Sequence, residues 1–295
     1  MVLTIFDLIL TPIYLLIIFF ISGYVQEKHV RKNPLYKWYT KGLFAKLGGA
    51  IALCLIYQFY YTGGDTVNYF LTSKAFSNMM WKDIGVFFEI MGGDNSAEIR
   101  SHFDNDTGYP EFSGKVEVYV SRLLVPLVFL GAHSFIVTAM LLAWICYTGV
   151  WRLFLLFNEQ FPTLQKELSI SMLFIPSVVF WGSGLLKDTI TLSAIGWYTY
   201  YFYRFFIQKK YRFSGATYIL LSSYLLISIK AYIFFALIPG SIVWLSNERL
   251  RNVRNKIMRV TLGPFFIVGG IAMGVFILTK MGDVLGVYAI DKVLD

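Results

Sequence analysis

Charge is scarce in this chain: Asp, Glu, Lys and Arg make up 15% of its 295 residues, where an ordinary soluble domain carries about a quarter. Too little charge is present to cover a water-exposed globule of this length. Reactive and metal-binding side chains are scarcer still. The two cysteines, Cys54 and Cys146, both fall inside apolar runs, which argues against a disulfide framework or a zinc site. The three histidines, His29, His102 and His133, are scattered without metal-ligand spacing. The N-terminal stretch MVLTIFDLILTPIYLLIIFFISGYV lacks a basic leader and an A-x-A-like cleavage site, so a signal anchor is expected rather than a cleaved peptide. No internal repeat, no Pro- or Ser-rich linker and no nucleotide-binding pattern is visible. A single membrane domain over residues 1–295 is the economical expectation.

Apolar residues fill the space that charge leaves. They account for 57% of the chain, and the mean hydropathy is +0.60. They are gathered into runs of about 15–23 residues, the length that a bilayer core demands of a helix. A transmembrane β-barrel would show alternating segments of about ten residues instead. The fold class expected is all-α, a polytopic helical membrane protein. The net charge of +8 does not point to nucleic acid, because the basic residues cluster in short loops between apolar runs. That is the positive-inside pattern of membrane proteins.

Spans are expected at about 5–24, 43–61, 133–155, 168–183, 189–206, 215–229, 231–246 and 261–279, eight in all. The segments 25–46, 152–167, 204–214 and 247–259 hold 17 of the 26 Lys and Arg residues, and all four are assigned to the cytoplasm. Lys46 is counted with the first of these. The stretch 62–117 then lies outside, and it carries nine acids against four basic residues. An odd number of crossings must separate it from the basic segment 152–167. The short run 118–131, with Arg122 and Pro126, is therefore read as an interfacial or re-entrant helix, and 133–155 as the true span. The same parity splits 215–246 into two short spans meeting at Ile229-Lys230-Ala231. Both chain ends come out extracytoplasmic.

The unusual polar residues on that outer side come from separate places. The stretch YYTGGDTVNYF (60–70) ends a span on Gly63-Gly64 and an acid, Asp65. It reads either as a simple helix exit or as a ligand-binding or catalytic carboxylate. In FIPSVVFWGSGLLKD, Pro176 should bend a helix and Gly182-Ser183-Gly184 should break it. Lys187-Asp188 follows, either as an ion pair and cap or as an anion site at a helix N-terminus. Lys230 is either a snorkelling lysine or a partner for phosphate or for Asp65. Asp104-Asn105-Asp106 is a D-x-D of the kind that holds a divalent cation. The stretch 72–91 reads as a helix lying at the membrane interface, with Trp81, Phe87 and Phe88 as anchors. The aromatic run WYTYYFYRFF (197–206) reads as an interfacial belt.

The order of a span, an acid directly after it in GGD (63–65), a long outer loop with interfacial helices and a further span resembles the GT-C class of polytopic glycosyltransferases. Protein mannosyltransferases and lipid A aminoarabinose transferases belong to that class. PSVVFWGSGLLKD (176–188) is similar to the outer-side hairpin of those enzymes. The resemblance covers residues 43–260 by arrangement. It departs from the family at one place: the first-loop acid is often paired there, whereas Gly64 and Thr66 flank Asp65. What the resemblance implies is a bacterial inner-membrane enzyme moving a sugar from a polyprenyl-phosphate donor to an extracytoplasmic acceptor. Asp65 would be the general base, with Gly63, Gly64 and Asp188 in support, and Lys187, Arg122 or Lys230 would stabilise the leaving phosphate. A divalent cation at Asp104 and Asp106 would be the one cofactor, and membrane lipid and the lipid-linked sugar the partners. A second reading is a non-enzymatic subunit of an envelope secretion or polysaccharide-assembly complex, docking through the acidic outer stretch. A transporter is disfavoured by the few charges within spans and the lack of an inverted repeat.

Overall fold

The computed structural model describes residues 2–251 together with 268–269, 272 and 274–276. Every regular element among them is helical. Most of the expected span 261–279 and most of the basic segment 247–259 lie outside the described residues. Two compact units are present, residues 1–196 and the residues from Trp197 onward.

The first unit is built around three long helices, α1 (Ile5–Val30), α2 (Tyr39–Phe59) and α7 (Phe135–Gln160). Each is long and apolar enough to cross a membrane. α1 leaves Leu8, Phe20 and Phe6 exposed at 78%, 70% and 62%. An apolar face of that extent is out of place in water and fits lipid. α7 is the most enclosed of the three and carries the centre of the unit. Small residues let its neighbours approach: a Cβ on Gly42 of α2 would meet the Tyr147 hydroxyl, and one on Gly149 would meet the Ser193 backbone. The Tyr147 hydroxyl donates to the Tyr39 carbonyl at 2.8 Å, joining α7 to the start of α2.

The N-terminal ends of α1 and α7 are joined by a buried carboxylate. Asp7, 2% exposed, accepts from the Thr4 backbone and hydroxyl through one oxygen. Through the other it accepts from the Ser134 hydroxyl at 2.7 Å and the Ile136 N–H at 2.9 Å. Four donors and the N-terminus of α7 compensate a charge that would otherwise be costly at this depth.

Residues 62–117, expected as an outer loop carrying interfacial helices, are largely helical. They fold into α3 (Asp65–Lys82), α4 (Ile84–Gly92) and α5 (Ala97–Ser101), and α6 (Lys115–Leu130) packs on α3. Phe76, Met79, Phe87, Ile90, Ile99, Phe103 and Val125 give this cap its own apolar core. Phe87 therefore belongs to the core and not to the expected set of membrane anchors, whereas Trp81 and Phe88 stay exposed at 76% and 65%.

The segment expected as one span at 168–183 is discontinuous. α8 (Gln165–Ser169) passes into a π-helical turn at Ile170–Phe174, breaks at Ile175, and resumes as α9 (Pro176–Trp181). Pro176 accounts for the break, since the residue before a proline is pushed to extended backbone; Ile175 has φ −60° and ψ 123°. Gly182–Leu186 then lead into α10 (Lys187–Phe202).

In the second unit, α11 (Arg212–Arg251) is interrupted at Lys230, where φ is −144° and ψ 75°. A straight helix would hold Tyr218 and Trp244 about 39 Å apart. Instead Tyr218 stacks on Tyr201 with ring centroids at 4.3 Å, and Trp244 stacks on Tyr203 at 5.2 Å. Tyr201 and Tyr203, two apart in the chain, reach both arms, so the chain bends sharply at Lys230. That is the position where charge parity placed a junction. The rings of the 197–206 run pack into this corner: Tyr198, Tyr200 and Tyr201 are all buried. They form core here, in place of the expected interfacial belt.

Candidate active site

The hinge YYTGG turns the chain from α2 into α3. Gly64 adopts φ 109°, a conformation that favours glycine, and a Cβ there would come within 2.9 Å of the Tyr57 ring. Asp65 follows as the first residue of α3. Its carboxylate is exposed and makes no hydrogen bond or ion pair among the described residues. Gly64, not Asp65, holds the N-cap position.

One helical turn on, Tyr69 shares the face of Asp65. It is 0% exposed, and among the described residues its hydroxyl has no hydrogen-bond partner; the Thr66 hydroxyl is likewise buried and unpartnered among them. Burial raises the Tyr69 phenol above its ordinary value, and the negative charges of Glu117, Asp65 and Asp188 raise it further. Those three acids sit in the first turns of α6, α3 and α10.

Lys187, the first residue of α10, donates to Glu117 Oε1 at 2.9 Å. Burial alone would raise the Glu117 carboxyl, but the Lys187 hydrogen bond, a bond from its own backbone N–H and the Lys187 charge together hold the group below its ordinary value. The pair is about a quarter exposed on each side, with 27% and 28% of the side chains accessible. An ammonium carries three donors, and one is used by Glu117.

Other expected site residues are placed elsewhere. Arg122 Nη2 donates to the Asp94 carbonyl at 2.7 Å and ties α6 to the α4–α5 connection. Asp104 uses one oxygen for the N–H groups of Asp106 and Thr107, and the other for Lys82 at 2.7 Å. The hydrogen bond from Lys82, then those from the Thr107 and Asp106 N–H groups, hold its carboxyl down at about 2. The D-x-D is thus a turn clamped to α3. Among the described residues no group of three His, Cys, Asp or Glu side chains is placed to hold a metal ion. Lys230 belongs to the second unit.

Two residues of this region were not singled out by the sequence. Glu117 is one of nine acids in its stretch, and no local pattern marks it as the partner of a lysine 70 residues on. Lys46 is not a loop residue: it lies within α2, is 5% exposed, and donates to the Gly182 carbonyl at the end of α9. Its overlap with an apolar run was the available signal.

Comparison with protein-family models, with curated proteins and with solved structures gives no match to this chain.

Proposed function

We propose that the chain is an integral membrane glycosyltransferase that moves a sugar from a polyprenyl-phosphate donor to an acceptor on the extracytoplasmic face. The observation that carries this reading is the unpaired, exposed Asp65 carboxylate at the start of α3, the helix that packs on α6, whose first turn holds Glu117 in its pair with Lys187. Asp65 takes the proton from the acceptor hydroxyl as its oxygen attacks the anomeric carbon. The bond between that carbon and the phosphate oxygen breaks, and the lipid phosphate leaves with the electron pair. Lys187 keeps two donors for that phosphate while Glu117 fixes its position. The phosphate role rests on Lys187, because Arg122 is directed to Asp94. The topology that goes with this reading has eight spans, both ends extracytoplasmic, the α3–α6 cap outside, and a bacterial inner membrane around it. Reconstituted protein should release polyprenyl phosphate from polyprenyl-phosphate mannose or aminoarabinose when an acceptor alcohol is present. No release from any such donor would refute the reading.

A non-enzymatic membrane subunit is the second reading. Trp81 at the end of α3 and Ile84 and Phe88 one turn apart on α4 favour it, since they are exposed at 76%, 58% and 65%. Under that reading, alanine at Trp81 and Phe88 abolishes co-purification with envelope proteins, and Asp65→Asn is without effect.

A further inference from the structure

A lysine inside an apolar helix is costly in a membrane and calls for a reason. Lys46 lies in the stretch Pro34–Phe59, which is apolar enough to span, and is 5% exposed. It forms no ion pair among the described residues; its ammonium donates to the carbonyl of Gly182. Gly182 caps the C-terminus of α9, where helix geometry leaves carbonyls without internal donors. In lipid those carbonyls must be satisfied by protein groups.

The rest of the break is satisfied locally. The Ser183 hydroxyl donates to the Val179 carbonyl, the Thr189 hydroxyl to the Gly184 carbonyl at 2.7 Å, and the Leu186 N–H to the same carbonyl at 2.8 Å. Packing is close as well: a Cβ on Gly49 of α2 would strike the Val179 carbonyl, and one on Gly184 would strike Leu53. Lys46 is the only charged donor at this corner among the described residues. Four residues separate Gly182 from Lys187.

We propose that Lys46 is a positioning residue: from within α2 it holds the end of α9, and so fixes the start of α10, where Lys187 meets Glu117. The positional part stands on these contacts alone; its catalytic consequence rests on the glycosyltransferase reading above.

Carbodiimide joins a carboxylate to an amine where the two are already in contact. In the full-length protein in detergent it should link Glu117 to Lys187 and, as an internal reference, Asp104 to Lys82, both read by mass spectrometry of the joined peptides. In Lys46→Met the first link should fall about tenfold relative to the second, the scale of losing one charged hydrogen bond. Lys46→Arg, which keeps a charged donor, should retain most of it. An unchanged Glu117–Lys187 link in Lys46→Met overturns the proposal. Parallel loss of both links also overturns it, since Lys46 would then be a general support. Transfer assays separate the two layers. A Lys46-dependent link together with full activity in Asp65→Asn removes the enzymatic reading and leaves the positioning role. An inactive Asp65→Asn with an unchanged link in Lys46→Met does the reverse.

Discussion

The Lys187 ammonium lies 2.9 Å from Glu117 Oε1, joining the first turn of α10 to the first turn of α6 across 70 residues of sequence. Its strength depends on pH in a defined direction. The Glu117 carboxyl is held below its ordinary value of 4.5 in the folded protein. The pair therefore contributes fully above that value, and the contribution is lost as pH falls through the lowered folded value. Glu117→Gln should cost about 1 kcal/mol at neutral pH, and should flatten the melting temperature against pH below about 4.5. Thermal melts of both proteins across that range check it.

Removing the Asp7 carboxylate should be more damaging. Asp7→Ala leaves the Ser134 hydroxyl, the Ile136 N–H and the Thr4 donors without their acceptor in a buried setting. A loss of about 2–4 kcal/mol is expected, with a smaller one for Asp7→Asn. The melting temperature of the purified variants in detergent measures it.

The turn at 104–107 should resist acid. Its carboxyl sits at about 2, against an ordinary 3.8. Its contribution is complete above 3.8 and disappears as pH falls through about 2. Hydrogen exchange at the Asp106 and Thr107 amides should stay slow down to pH 3 and become fast in Asp104→Asn. Protection of these amides by added Mn²⁺ would instead mark the D-x-D as a cation site.

Topology is directly testable at the bend of α11. With Cys54 and Cys146 buried, an introduced thiol reports alone. Ser214→Cys should resist a membrane-impermeant thiol reagent in intact cells, and Lys230→Cys should react. The opposite pattern would invert the orientation drawn from the basic segments.

How much of this was legible in the sequence follows from the range of each interaction. α1, α2 and α7 are long apolar runs, and each is written in its own residues. The breaks at Pro176 and Gly182 are local backbone chemistry, so they too could be read. The bend at Lys230 came from counting charge across segments. The site was legible only at Asp65 and Lys187-Asp188, where polar residues interrupt grease. Glu117 was lost among neighbouring acids because its importance lies in a contact made 70 residues on. Tyr69 reads as one more aromatic until its hydroxyl is found buried with no partner among the described residues. Lys46 was misassigned because a basic residue near a basic loop looks like part of it; only the fold shows it pointing to Gly182. The outer stretch read as a loop with an interfacial helix over 72–91; the small apolar core there was not legible, because Phe76, Phe87 and Phe103 are separated by more than a helical period.

The central claim is that Asp65 is the general base. Asp65→Asn keeps the size of the side chain and removes its basicity, and the exposed position should leave folding intact. Reconstituted into liposomes and supplied with polyprenyl-phosphate mannose or aminoarabinose, the variant should keep the wild-type melting temperature. Its sugar-transfer rate should fall by about 10²–10⁴-fold, the scale of a lost general base. Transfer at the wild-type rate would contradict the assignment of Asp65.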